Sequence, residues 1–229
     1  MASLKLTREN ILSGVLHDSA RALLGAGTRF MTAEERHRQI HEVIARAPHP
    51  ERIWVFGYGS LIWNPAFHFA ERRTARVHGY HRQFCLWARA GRGSPDRPGL
   101  MLSLEHGGSC HGVGYRLHPK HAATELDVVW RREMLTMAYR PVWVTLRTPR
   151  SLEHGIAFAA NHAHERYVRE LGEEATARYL ATGAGPLGCC ADYLFDTVEH
   201  LRALGIRDRH LEALERQVRA LVPEAAPGS

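Results

Sequence analysis

The residues that could carry chemistry fall in two places, a glycine-containing turn at Gly57-Tyr58-Gly59-Ser60 and a carboxylate at Glu133. Ile53-Trp54-Val55-Phe56 leads into the turn, and four apolar or aromatic residues there predict a buried strand ending in a tight bend. Successive N–H groups in such a bend form a concave anion site that can hold a carboxylate or phosphate without a charged side chain. The turn is not a Walker loop, because no Gly-Lys-Ser/Thr follows. Nor is it G-x-G-x-x-G, because Leu61-Ile62-Trp63 stands where the last glycine belongs. Ser60 lies outside any G-x-S-x-G pattern, so it reads as a structural or binding serine. Taken alone, the motif also fits a structural hairpin or strand end.

Residues 120–134 predict a helix with Leu126, Val129, Trp130 and Met134 on one face. Glu133 falls near its C-terminus, beside that apolar stripe. A carboxylate there loses solvation and dipole support, and both losses push its pKa upward. The bland alternative is a surface glutamate paired with Arg131, Arg132 or Arg140. Sixteen histidines invite a metal, but there is no H-E-x-x-H, and His162 and His164 stand without site-like partners. They read as solvated histidines.

At 229 residues, 45% hydrophobic and 24% charged, the chain predicts one folded domain of α+β class. The N-terminus lacks a basic-then-apolar signal, since Lys5, Arg8, Glu9, His17, Asp18 and Arg21 interrupt it. No stretch resembles a membrane span, and a cytoplasmic location is expected. The net charge of +6 comes almost entirely from arginines spread along the chain, which argues against a nucleic-acid patch. Cys85, Cys110, Cys189 and Cys190 show no CxxC spacing and are expected to be reduced thiols.

Residues 1–50 predict a helical extension packed on the core: one helix across Leu4 to Leu24, then a second opened by a Thr32/Glu35 capping box and stopped at Pro48-His49-Pro50. Residues 51–222 form the main domain, and 223–229 a polar tail. Within the domain, strands are predicted over 74–80, 83–88, 100–105, 110–117, 140–146 and 151–160. A Gly/Pro-rich loop spans 90–99, helices span 173–182, 191–204 and 209–221, and residues 164–171 carry no clear pattern.

Together these residues resemble the ChaC family of glutathione-specific gamma-glutamylcyclotransferases. The resemblance rests on Val55-Phe56-Gly57-Tyr58-Gly59-Ser60-Leu61-Ile62-Trp63-Asn64-Pro65, Ala90-Gly91-Arg92-Gly93 with Pro98-Gly99, and Gly112-Val113-Gly114-Tyr115-Arg116-Leu117. Trp130-Arg131-Arg132-Glu133-Met134 with Tyr139, Gly185-Pro186-Leu187-Gly188 and Asp192-Tyr193-Leu194-Phe195 complete it in order. It implies a small mixed β-barrel with flanking helices and cleavage of glutathione to 5-oxoproline and cysteinylglycine, with no cofactor and no metal. By the same resemblance Glu133 is the catalytic acid/base, Val55, Phe56, Gly57, Tyr58, Gly59, Ser60 and Leu61 wrap the γ-glutamyl head, and Tyr139 orients it. Leu100 and Cys189-Cys190 depart from the family pattern. If they touch the cysteinylglycine part, the alternative is a broader γ-glutamyl peptide or amine cyclotransferase. A second alternative, from the family's older name, is a non-enzymatic regulator of cation transport. No motif sets an oligomeric state.

Overall fold

Two strands of 18 residues, β2 (Glu71–Ala88) and β3 (Gly99–Arg116), make the long antiparallel hairpin on which the rest is assembled. They are seen in a computed structural model that describes residues 4–169 and 171–222. The predicted polar tail at 223–229 lies outside the described residues. Each strand was expected to be two, split at Gly79 to Arg82 and at Gly107-Gly108. Instead Gly79 (φ 83°) and Gly107 and Gly108 (φ 101° and 65°) sit at one level of the hairpin, where the register shifts between His78 and Tyr80. Positive φ at glycine lets the chain bulge and bend without ending the ladder, so breaker residues mark a corner here and not a turn.

That bend helps curl the sheet shut. β1 (Trp54–Gly57) pairs antiparallel with β3 and parallel with β5 (Leu152–Ala160), while β4 (Tyr139–Arg147) pairs with β5 and meets β2 at Arg147 and Arg76. The result is a closed mixed barrel in the order β1-β3-β2-β4-β5, the fold class expected from the resemblance. Closure leaves β1 wholly buried, and Trp54, Phe56, Tyr115 and Phe158 lie in the core.

Helices pack on the outside. In α4 (Ala122–Glu133) the apolar stripe is buried as its spacing predicts, with Trp130 edge-on to Phe158 at 5.3 Å between ring centroids. Such aromatic burial contributes about 2–3 kcal/mol per ring and fixes the axis of the helix over the barrel. Farther along, α5 (Glu173–Thr182), α6 (Cys190–Ala203) and α7 (Arg209–Leu221) pack on one another, with Asp208 capping α7. The Gly183–Gly188 breakers form a two-residue hairpin, β6 (Ala184–Gly185) with β7 (Gly188–Cys189), bound to the 90–99 loop through Leu187 N–H and Gly91 O at 2.8 Å.

The N-terminal region differs in detail from expectation. Gly14, at φ 84°, breaks the expected first helix into α1 (Arg8–Leu12) and α2 (Val15–Leu24). The third helix, α3 (Ala33–Ala45), has both halves of its capping box: Glu35 N–H donates to Thr32 Oγ1 at 3.2 Å, and Thr32 N–H donates to Glu35 Oε2 at 3.0 Å. Both α1 and α3 are tied to α4. Arg8 forks onto Glu125 at 2.6 and 2.9 Å, Arg36 Nε donates to Asp127 at 2.6 Å, and Trp130 Nε1 donates to Gln39 at 2.6 Å. Among the described residues no helix is long and apolar enough to cross a membrane.

The Glu125 carboxylate is only 6% exposed and also accepts the His68 N–H at 2.8 Å, so losing its arginine would strand a charge in the interior. Arg8→Ala is expected to lower the unfolding free energy by about 2 kcal/mol, below the full cost of a wholly buried pair because Arg8 itself reaches solvent. Urea titration of both proteins checks this, with an unchanged midpoint as the contrary result.

Candidate active site

Where β1 ends, Tyr58 and Gly59 carry the chain into a single 3₁₀ turn at Ser60–Ile62. The turn is braced from both sides. Behind it, Arg82 Nε donates to the Tyr58 carbonyl at 2.6 Å, with the same guanidinium anchored on Asp208 at 2.8 Å. A cation bonded to that carbonyl also polarises the peptide unit whose other end is the Gly59 N–H, making it a stronger donor. Among the described residues, neither the Tyr58 nor the Gly59 N–H has an acceptor. The backbone can approach so closely because Gly59 has no Cβ, which would stand 2.6 Å from the Tyr193 hydroxyl oxygen.

Facing the turn is the last residue of α4. Glu133 is 15% exposed and receives Arg132 Nε at 2.9 Å. Arg132 is itself nearly buried. Its Nη2 donates to Ser60 Oγ at 2.6 Å and its Nη1 to the Asn64 carbonyl, so one guanidinium ties the carboxylate to both ends of the turn. Burial raises the Glu133 pKa, and the adjacent Arg132 opposes the rise without cancelling it. Glu133 is thus a stronger base than a solvated glutamate.

Tyr58, Tyr139 and Tyr193 complete the wall, and burial above all raises the pKa of each phenol. Tyr58 donates its hydroxyl to the Phe158 carbonyl at 2.5 Å, and Tyr139 to the Leu102 carbonyl at 2.8 Å. With their protons committed, both oxygens present lone pairs, which suits a ligand ammonium.

These groups open into a cavity of about 480 Å³, within the usual range of roughly 300–1,000 Å³ for small-molecule sites. Among the described residues Glu133 is the one acidic residue lining it, against Lys5, Arg92, Arg131, Arg132 and Arg166, so the cavity favours an anionic ligand.

Glu133, Ser60 and Tyr139 line this cavity, while Tyr58, Gly59 and Leu61 join them in the narrow recess beside it. Val55, Phe56 and Gly57 line neither. They lie buried in β1 and support the turn from below. Leu100 and Cys190 are also fully buried, Cys190 against the carbonyls of Arg92 and Leu100, and Cys189 does not line the cavity. All four cysteines are free.

From sequence Arg132 is only one of three candidate partners for Glu133, and nothing assigns a site role to Tyr193, Arg166 or the N-terminal residues Leu4–Thr7 that form one side of the cavity. Tyr193 sits in a motif that marked it. Arg166 falls in the stretch without pattern, and no sequence signal singles it out. The two histidines read as solvated are in fact engaged, His162 with Glu105 at 3.0 Å and His164 Nε2 with the Thr136 carbonyl at 2.8 Å. Among the described residues no group of His, Cys, Asp and Glu is arranged to hold a metal ion.

Residues 53–221 match the family described as ChaC-like protein. The chain is 39% identical over 201 residues to the glutathione-specific gamma-glutamylcyclotransferase of Escherichia coli strain K12, covering 86% of this chain and 85% of that protein. It is 32% identical over 183 residues to gamma-glutamylcyclotransferase 2-3 of Arabidopsis thaliana, covering 76% of this chain and 92% of that protein. The crystal structure of a yeast gamma-glutamyl cyclotransferase specific to glutathione superposes with a TM-score of 0.69 at 23% identity, over 77% of this chain and all of that one, which establishes the shared fold. A family match across the barrel and its flanking helices, together with 39% identity over most of the chain, places this protein in the ChaC family of gamma-glutamylcyclotransferases.

Proposed function

We propose that this chain cleaves glutathione to 5-oxoproline and cysteinylglycine, with Glu133 as the single acid/base. The observation that carries this reading is a lone, partly desolvated carboxylate facing a turn of free backbone N–H groups across a cationic cavity. Cyclotransfer needs little more. The substrate's own α-amine is the nucleophile, so neither water nor an enzyme nucleophile attacks. The amine arrives protonated. Glu133 removes a proton from it, the nitrogen attacks the γ-carbonyl carbon, and the C–N bond to cysteine breaks as Glu133 returns the proton to the departing nitrogen. The carboxylate so restored then takes the second proton from the cyclised nitrogen and releases it to solvent, leaving 5-oxoproline with one N–H.

The remaining groups position and stabilise. The Tyr58–Ser60 backbone receives the anionic parts of the γ-glutamyl head, and Tyr58 and Tyr139 accept from its ammonium. Holding amine and carbonyl about 3–3.5 Å apart supplies roughly 7–11 kcal/mol of the barrier reduction. On this reading residues 51–222 are the catalytic unit, and residues 1–50 are an extension whose described part, from Leu4 onward, packs on it and closes one side of the cavity. The residues that motivated a broader substrate range, Leu100 and Cys189-Cys190, lie off the cavity wall, which favours the glutathione reading.

Incubation of the purified protein with glutathione is expected to yield 5-oxoproline and cysteinylglycine in equal amounts. Free glutamate would overturn the mechanism. Glu133→Gln keeps the shape but not the base, and is expected to lower kcat by about 10²–10⁴-fold with little change in thermal midpoint.

The pH profile has a definite sign. Glu133 must be ionised to take the proton, and its pKa lies above the ordinary 4.5, so the acid limb of kcat/KM is expected above pH 4.5. A limb at or below that value would show that burial does not set its basicity. Gly59→Ala, which drives a Cβ into the Tyr193 hydroxyl, is expected to cost at least about tenfold in kcat/KM, measured by the same product assay.

A further inference from the structure

Two cationic groups of the cavity, Lys5 and Arg166, have no anion among the described residues; Lys5 is exposed to solvent, whereas Arg166 is half-buried. The segment after β5 folds back along β2, with Trp87 N–H donating to the Arg166 carbonyl at 2.8 Å and Val168 N–H to the Cys85 carbonyl at 2.8 Å. This edge pairing delivers the Arg166 side chain to the cavity wall. There its Nε donates to the Trp87 carbonyl at 2.6 Å and its Nη1 to Thr136 Oγ1 at 3.0 Å, both neutral acceptors. Its Nη2 has no partner, and no carboxylate lies within ion-pair distance of it, among the described residues.

The other cavity arginines are committed differently. Arg131 holds Asp127 at 2.6 Å, Arg132 holds Glu133, and Arg92 lies 3.8 Å from Asp196 with its guanidinium over the Tyr193 ring. Arg166 is also held in place. Its own N–H donates to His164 Nδ1 at 3.1 Å, and the far nitrogen of that imidazole bonds the Thr136 carbonyl, so backbone and side chain are both referred to Thr136. A half-buried guanidinium fixed by neutral acceptors has incomplete compensation for its lost hydration, and its planar fork suits a carboxylate.

We propose that Arg166 binds the terminal carboxylate of the group leaving the γ-glutamyl head, so that the site selects γ-glutamyl peptides ending in a free carboxylate over γ-glutamyl amines. This rests on the cyclotransfer reading above and adds the specificity element of the leaving-group end. The reach is right. Thr136 lies three residues beyond Glu133, hence at most about 10 Å away between Cα atoms, and an extended dipeptide spans roughly 7 Å. The two carboxylates of glutathione then have separate receptors, backbone N–H groups for the head and Arg166 for the tail.

The test compares glutathione with its C-terminal glycinamide, which differs only in lacking that carboxylate. The unmodified protein is expected to prefer glutathione by about 10- to 100-fold in kcat/KM, mostly through KM. Arg166→Gln is expected to shrink the preference to about twofold or less, while Arg166→Lys, which keeps the charge but not the fork, retains part of it and serves if the glutamine variant fails to fold. Equal turnover of both substrates by the unmodified protein overturns the proposal. So does a full preference in the folded Arg166 variants, or a preference erased by Arg92→Gln but not by Arg166→Gln. Absence of 5-oxoproline from both substrates would instead remove the cyclotransfer reading itself.

Discussion

Everything at the site depends on the guanidinium of Arg132. It joins the end of α4 to the turn after β1, bonding Glu133 on one side and Ser60 and Asn64 on the other. The carboxylate and the backbone N–H groups it must face come from segments some 70 residues apart in sequence, and this contact sets their separation. It also limits the chemistry. An arginine beside a carboxylate lowers its basicity, yet the loss of hydration on burial raises it, and burial is the larger effect. The outcome is a base that is held in place without being quenched.

The barrel supplies the rigidity this needs. Closure of β1 between β3 and β5 removes any freedom at the start of the turn, and Arg82 fixes the Tyr58 carbonyl from behind. Rigid positioning is the main source of rate in an intramolecular attack, because the substrate supplies both reacting groups and the protein must only hold them together. The cavity in front is a composite of loop, helix end and N-terminal segment. Such a composite can differ between relatives in its leaving-group end while the head site stays as it is.

Much of this was legible in the sequence, for reasons that differ by element. The apolar stripe of α4, the strand before Gly57 and the Thr32/Glu35 cap obey local rules, and each appears where its pattern predicts. The glycines of the long hairpin misled, because Gly79 and Gly107-Gly108 permit positive φ whether the chain turns back or merely bends, and only the partner strand decides which. Gly14 erred the other way, ending a helix whose apolar spacing continued past it. Among site residues, Glu133 and the turn could be found from burial logic and resemblance. Arg132 was legible only as one of three arginines able to pair with Glu133, not as its link to Ser60 and Asn64, and Arg166 was not legible at all, since an arginine's partner lies in the fold and this chain is rich in arginines that do nothing of the kind.

The claim at the centre is that burial outweighs Arg132 and leaves Glu133 a stronger base than a solvated glutamate. The direct measurement is a ¹³C NMR titration of the glutamate side-chain carboxyls, with the Glu133 signal assigned by its loss in Glu133→Gln. The account predicts a midpoint above the ordinary 4.5. A midpoint at or below that value would mean that the ion pair dominates, and that the proton transfers assigned to Glu133 belong elsewhere.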